Sequence, residues 1–183
     1  MNRIDHARID AEKGVAVIGP GKGGSVLMGE LEAQNLFFPA GHCKGVCVGG
    51  YLLQGGYGWN SRVWGLACEN VIGLDVVTAD GEQIHCDADD HSDLYRAARG
   101  AGPGFFGVVT SFYLKLYSRP AACGTSVYVY PIDLADEIYT WRAMSAPKWT
   151  VSSRCKSSQA EASRTWVSTA HTSCLRHRRS PTR

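Results

Sequence analysis

At 183 residues, 44% hydrophobic and 20% charged, the chain has a globular composition and room for one ordinary domain or part of a larger one. The formal net charge of +2 divides unevenly: residues 151–183 carry six Arg and one Lys against one Glu, a net of +6, which leaves −4 for residues 1–150. The basic excess therefore belongs to the tail and gives no basis for a nucleic-acid surface on the patterned part, and no apolar run approaches the roughly 18 residues of a membrane span.

The opening MNRIDHARID lacks the apolar core of a signal peptide, so no export signal is expected from this chain, and its compartment is left unassigned. Seven cysteines at 43, 47, 68, 86, 123, 155 and 174 are odd in number and scattered, without a Cys-x-x-Cys pair, which argues against a disulfide framework. They read as small buried hydrophobes, with Cys43 considered separately below.

In chain order, Val15 to Ile18 reads as a short strand, punctuated by Gly19-Pro20-Gly21. A helix is expected from Gly24 to Gln34, with Val26, Leu27, Leu31 and Ala33 facing a core, ended by Phe37-Phe38-Pro39. Ten glycines then fall between Gly41 and Gly81, spaced by Val, Leu, Tyr and Trp rather than by Ser and Pro. Such a backbone, held in an apolar frame, suits close approach to a large ligand or to another strand. Asn70 to Ala79 is a strand, Asp80-Gly81 a hairpin turn, and Gln83 to Cys86 the returning strand.

Ser92 reads as an N-cap for a helix burying Leu94, Ala97 and Ala98 and closing at Gly100. Val108 to Tyr117 is a long strand, with Phe112, Leu114 and Leu116 alternating against Ser111, Tyr113 and Lys115. A strand at Thr125 to Tyr130 and a helix at Leu134 to Met144 follow. The chain is thus α+β, with mostly antiparallel strands and flanking helices. The tail from Val151 holds eight Ser, four Thr and six Arg without apolar periodicity, and is expected to be disordered. A slip of reading frame near Pro147 to Val151 would give the same abrupt loss of pattern; translating the other two frames tests it.

Three motifs bear on chemistry. Gly19-Pro20-Gly21-Lys22-Gly23-Gly24 matches G-x-G-x-x-G between a strand and a helix, the pattern that seats a dinucleotide on a helix N-terminus. The acidic residue required about 20 residues on is missing, because that region reads Leu36-Phe37-Phe38-Pro39-Ala40-Gly41. A nicotinamide-binding module therefore ranks below a structural turn. His42, Cys43, Cys47, His85 and Cys86 lack the paired spacing of a zinc site, so no metal is expected. No Gly-x-Ser-x-Gly elbow appears, and His6, His42, His85 and His91 are candidate bases that sequence alone does not activate.

The run PAGHC…VGG…LLQGGYGWNSRVWGLACENVIGLDVVTADGE, followed by HSDLYRAARGAGPGFFGVVTSFYLKLY, resembles the vanillyl-alcohol oxidase and berberine-bridge-enzyme family of FAD-dependent oxidoreductases. The resemblance covers about residues 1–118 and implies a p-cresol methylhydroxylase-type FAD-binding domain. By that resemblance residues 1–118 are its second subdomain and 119–150 the start of a substrate domain, while 151–183 is the basic Ser/Arg-rich tail described above. A preceding subdomain with an Arg-x-Gly-Gly-His loop and a following substrate domain that supplies catalytic bases are implied to lie outside this chain. No catalytic residue is therefore assigned, and the chain alone is expected to be inactive.

Residue by residue, the resemblance implies that Gly41-His42-Cys43-Lys44-Gly45-Val46 is the turn whose Cys bonds the flavin ring in bicovalent members. Lys44 and Cys47 depart from the Pro and Gly usual there. Gly49, Gly50, Gly55, Gly56 and Gly58 match the backbone lying against flavin and diphosphate, and Asn70-Val71-Ile72 the segment whose main chain contacts the adenosine end. Arg96 stands where the family commonly has Trp, a costly charge if the site is buried. The implied activity is hydride transfer from a small alcohol, sugar, amine or phenolic substrate to FAD, with molecular oxygen as acceptor. The competing reading is a non-catalytic remnant that binds no FAD stably.

Overall fold

The computed structural model describes residues 3–58, 61–145, 153–158 and 166–175. The chain divides into two compact units, Met1–Arg119 and Pro120–Arg183. The first runs β1 (Ala7–Asp10), β2 (Val15–Ile18), α1 (Gly24–Glu32), β3 (Leu36–Phe37), α2 (Val48–Leu53), α3 (Ser61–Trp64), β4 (Val71–Val77), β5 (Gln83–Cys86), α4 (Ser92–Ala97), β6 (Val108–Lys115) and β7 (Tyr117–Ser118).

Five of these strands form one antiparallel sheet in the spatial order β1–β2–β6–β4–β5. Alternation decides which face is buried. Ala16 and Ile18 of β2, Leu74 and Val76 of β4, and Phe112 and Leu114 of β6 point to the same side, where Leu27, Leu31, Leu52 and Phe38 meet them with no exposed surface beyond 1%. Each of these side chains other than Ala16 contributes roughly 1.5–3 kcal/mol by leaving water. In β6 the alternation slips once, because the register skips Thr110 between Ser111↔Asp75 and Val109↔Val76, and this turns Val109 inward as well. The extra residue is held by its hydroxyl, which donates to the Asp75 carbonyl at 3.3 Å.

The turn at Asp80-Gly81 does join an antiparallel pair: Val77 lies opposite Gln83, and Gly81 takes φ +83° and donates to the Thr78 carbonyl. Three local expectations are corrected. Helix α1 turns Val26 and Ala33 to solvent, since its buried stripe runs through Gly24, Leu27 and Leu31 with Met28 at its edge. Ser92 is the first helical residue rather than the cap; His91 caps at φ +49°, after a turn in which the Asp87 carboxylate accepts from the Asp89 and Asp90 N–H groups at 2.8 Å. On that helix Tyr95 and Ala98 are buried, and Leu94 and Ala97 only half-buried. Helix α2 gives no periodic signal because it spells Val-Gly-Gly-Tyr-Leu-Leu, yet it buries Val48 and Leu52.

The second unit holds β8 (Ala122–Pro131), α5 (Ala135–Ser145), β9 (Ser153–Ser158) and β10 (Trp166–Leu175), with an antiparallel sheet in the order β8–β10–β9. Two of its strands come from the basic tail, where the sequence shows no alternation; a ladder from Trp166↔Pro131 to Leu175↔Ala122 pairs backbone whatever the side-chain pattern. The remainder of that tail and the junction at 146–152 lie outside the described residues.

Candidate functional site

The loop 41–47 is pinned at its far end to the start of α1. Gly24 N–H donates to the Val46 carbonyl at 2.9 Å, Ser25 Oγ to the Lys44 carbonyl at 3.0 Å, and Val48 N–H to the Lys22 carbonyl at 2.9 Å. Gly23 and Cys47 form an antiparallel bridge. Between the loop and α2 lies a cavity of about 90 Å³ lined by Gly41, His42, Cys43, Val46, Tyr51 and Tyr57 among others. Cys43 and Cys47 are exposed, whereas Cys68 and Cys86 are buried and burial pushes both of those thiols up. The structure thus brings Gly41, Cys43 and Val46 to one rim.

The glycines divide into two physical groups. A Cβ at Gly41 would lie 3.0 Å from the Tyr51 ring, one at Gly56 2.8 Å from the ring and 2.6 Å from Ala67 Cβ, and one at Gly58 3.1 Å from the Tyr51 hydroxyl. Gly49 would meet Pro20 at 2.6 Å. These four make room for the protein itself. Gly45 and Gly50 face open space, as does Gly55, whose φ of +96° excludes most side chains for its own reason. Tyr51, which the sequence reading passed over, organises the first group and donates its hydroxyl to the Pro39 carbonyl at 3.2 Å. Nothing in the sequence separates it from Tyr57 in the same glycine run; its partners Gly41 and Gly56 are brought to its ring by the fold.

The G-x-G-x-x-G turn spends its N–H groups inside the protein. Gly19 donates to His6, Gly21 to Ile4, Lys22 to Gly19 and Gly24 to Val46. Lys22 is 9% exposed and pairs with Glu30 at 2.6 Å. These four N–H groups are thus not available to a pyrophosphate, and the turn instead holds loop 41–47 in place through Gly24 and the Gly23–Cys47 bridge.

Asn70 precedes β4 and is 3% exposed. Its carboxamide is fully used: Nδ2 donates to the Trp64 and Leu66 carbonyls, both at 2.8 Å, and Oδ1 accepts from the Tyr117 hydroxyl. The Val71 carbonyl accepts from Tyr95 Oη at 2.7 Å. Ile72 differs from both. The β4–β6 register jumps from Val71↔Leu114 to Gly73↔Tyr113, so Ile72 bulges out of the ladder with 41% of its surface exposed. Arg96 is exposed, so the charge that replaces Trp there carries no burial cost.

Residues 1–87 match the FAD binding domain family. The FAD-linked oxidoreductase nodO of Hypoxylon pulicicidum is 45% identical over 141 residues, which are 77% of this chain and 32% of that protein. The chain belongs to the FAD-linked oxidoreductase family. It spans about a third of the length of the curated relatives it matches. Among solved structures, 6-hydroxy-D-nicotine oxidase from Arthrobacter nicotinovorans superposes with a TM-score of 0.83 at 26% identity, over 96% of this chain and 39% of that one. Berberine bridge enzyme from Eschscholzia californica shares the fold, with a TM-score of 0.83 at 23% identity over 94% of this chain and 36% of that chain. The family's p-cresol methylhydroxylase-type topology therefore accounts for the antiparallel sheet and its flanking helices. Among the described residues there is no group of side chains fit to hold a metal ion, and no helix long and apolar enough to cross a membrane.

Proposed function

We propose that residues 41–58 and 70–72 form one wall of an FAD site, and that the whole protein is an FAD-dependent oxidoreductase acting on a small organic substrate. The observation that carries this reading is the exposed Cys43 thiol on the rim of an apolar cavity that Gly41, Val46 and Tyr51 also line, in a segment where Gly45 and Gly50 face open space. Those features fit a planar ring held against backbone and tethered through sulfur. Gly41 and Val46 frame the tether, Gly55 leaves open space in the wall, and Gly49, Gly56 and Gly58 let Pro20, Ala67 and Tyr51 pack into it. Ile72 offers main-chain groups outside the β4–β6 ladder to the adenosine end, with Asn70 and Val71 fixing its position through their internal bonds.

When bound in this wall, FAD would supply hydride-accepting redox chemistry for an alcohol, sugar, amine or phenolic substrate, with molecular oxygen as the final acceptor. The chain's own residues bind and orient, and none of them is assigned as a catalytic base. A small organic substrate accords with the name of the matched 6-hydroxy-D-nicotine oxidase. The test is direct: purified chain is titrated with FAD and followed by flavin fluorescence and visible absorbance. Saturable binding is the expected result, and acid-stable yellow colour that disappears in Cys43→Ala assigns the tether. A wild-type chain that neither retains nor binds FAD overturns the reading and leaves the non-catalytic remnant.

A further inference from the structure

One aromatic ring stands between the two turns assigned to the cofactor wall. Tyr51, half-buried on α2, turns its Cε2–Cδ2 edge to Gly41, where a Cβ would lie 3.0 and 3.3 Å from those atoms. Its Cε1 faces Gly56, where a Cβ would lie 2.8 Å away. The Tyr51 hydroxyl donates to the Pro39 carbonyl at 3.2 Å, which fixes the ring from its far end. The two segments also meet directly, since a Cβ at Gly58 would come within 3.0 Å of the Ala40 carbonyl oxygen.

Each turn has its own anchor on the side away from that ring. The 41–47 loop is tied to α1 through the Val46 and Lys44 carbonyls, and the Gly56 and Gly55 carbonyls accept from Ala67 and Cys68 N–H at 2.9 and 3.0 Å. What those anchors leave open is the spacing between Gly41 and Gly56, and the ring fills it. A flat, stiff ring with one edge on each glycine keeps the two turns a fixed distance apart, where a flexible or smaller side chain would let them close. Leu52, 1% exposed, carries the core contact of this part of α2, while Tyr51 at the core's edge lines the cavity that Cys43 also lines.

Resting on the FAD reading, we propose that Tyr51 is a positioning residue whose ring sets the distance between the Cys43 turn and the Gly55-Gly56 turn. It thereby sets where the Cys43 thiol stands against a bound flavin ring. Tyr51 acts through Gly41 and needs no contact with a reacting atom.

The experiment compares the full chain as wild type, Tyr51→Leu and Tyr51→Phe. Each is titrated with FAD, and alkylation of Cys43 is timed against Cys47 in the same sample, free and at saturating FAD. Bound FAD should protect Cys43 in wild type and nearly as well in Tyr51→Phe, which keeps the ring. In loaded Tyr51→Leu, Cys43 should react about 10-fold faster relative to Cys47, because a misplacement of about 1 Å changes a rate by up to about 100-fold. Protection in Tyr51→Leu equal to wild type overturns the Tyr51 assignment alone. So does an equal loss in Tyr51→Phe, which puts the effect in the hydroxyl, and so does a wild type that binds FAD without protecting Cys43. Where wild type binds no FAD the FAD reading falls. There, as for a Tyr51→Leu chain that binds none, hydrogen exchange of the free chain decides for Tyr51. Faster exchange across residues 41–46 in Tyr51→Leu, with that of β6 unchanged, keeps the spacer, and unchanged exchange removes it. If Tyr51→Leu does not fold, Tyr51→Met fills the space flexibly and takes its place, with the same results deciding.

Discussion

The ring of Tyr51 occupies the space that a side chain at Gly56 would need, with Cε1 only 2.8 Å from where that Cβ would stand. Gly56 also adopts φ +71° and backs onto Ala67, so Gly56→Ala combines overpacking with backbone strain. It should destabilise the first unit by about 2–4 kcal/mol. Gly50 lies inside α2 with nothing near its missing Cβ. Gly50→Ala should therefore stabilise by about 0.5–1 kcal/mol through helix propensity, yet weaken FAD binding if that open face receives the cofactor. Thermal melts paired with FAD titrations of the two variants check this; a Gly50→Ala chain that binds FAD as wild type does would remove Gly50 from the wall.

Asn70 ties three segments together through its two donors and one acceptor. Asn70→Ala leaves the Trp64 and Leu66 carbonyls and the Tyr117 hydroxyl without that partner and should cost about 2–4 kcal/mol. Asn70→Asp should be at least as damaging, since a carboxylate cannot donate to the two carbonyls. Denaturant unfolding of both variants measures the loss, and a change under 1 kcal/mol, about the size of one hydrogen bond, would show the network to be dispensable.

The cysteines should separate by reactivity. Cys43 and Cys47 are exposed, while burial holds Cys68 and Cys86 in the thiol form, which is the unreactive one. Brief alkylation of the native chain, mapped by peptide mass, should label Cys43 and Cys47 first and reach Cys68 and Cys86 only on unfolding. Bound FAD should then slow labelling of Cys43 more than that of Cys47.

One pH effect has a definite sign. The backbone N–H groups of Asp90 and then Asp89 hold the Asp87 carboxyl below its ordinary value. A lowered folded-state pKa stabilises above the unfolded value and is lost as pH falls through the folded one. Asp87→Ala should therefore melt earlier than wild type near neutrality, and the gap should close in acid below the usual carboxylate range. Melting curves across that range test the point; a gap that persists unchanged in acid assigns the loss to something other than the charge.

Much of the fold was legible because alternation and turn chemistry are local. The strand pair around Asp80-Gly81 and the inward set Phe112, Leu114 and Leu116 follow from spacing alone. What sequence could not show were effects that arise only across the fold. Gly49 is required by Pro20, and Gly41 and Gly56 by one tyrosine, so a glycine run that reads as a cofactor surface is partly the molecule packing against itself. Likewise, nothing in Asn-Val-Ile marks Ile72 as the residue that the ladder skips; the bulge comes from pairing with Tyr113 and Leu114 of β6, far along the chain.

The position of β6 has a consequence for synthesis. Hairpins β1–β2 and β4–β5 are joined in the sheet only through Val108–Lys115, which pairs with β2 on one side and β4 on the other. Until the ribosome has released that strand, each hairpin keeps an open edge able to pair with a neighbouring chain. Formation of the sheet must therefore wait for the last strand made, and crowded expression or slow translation before Val108 is the condition under which this chain is most exposed to aggregation.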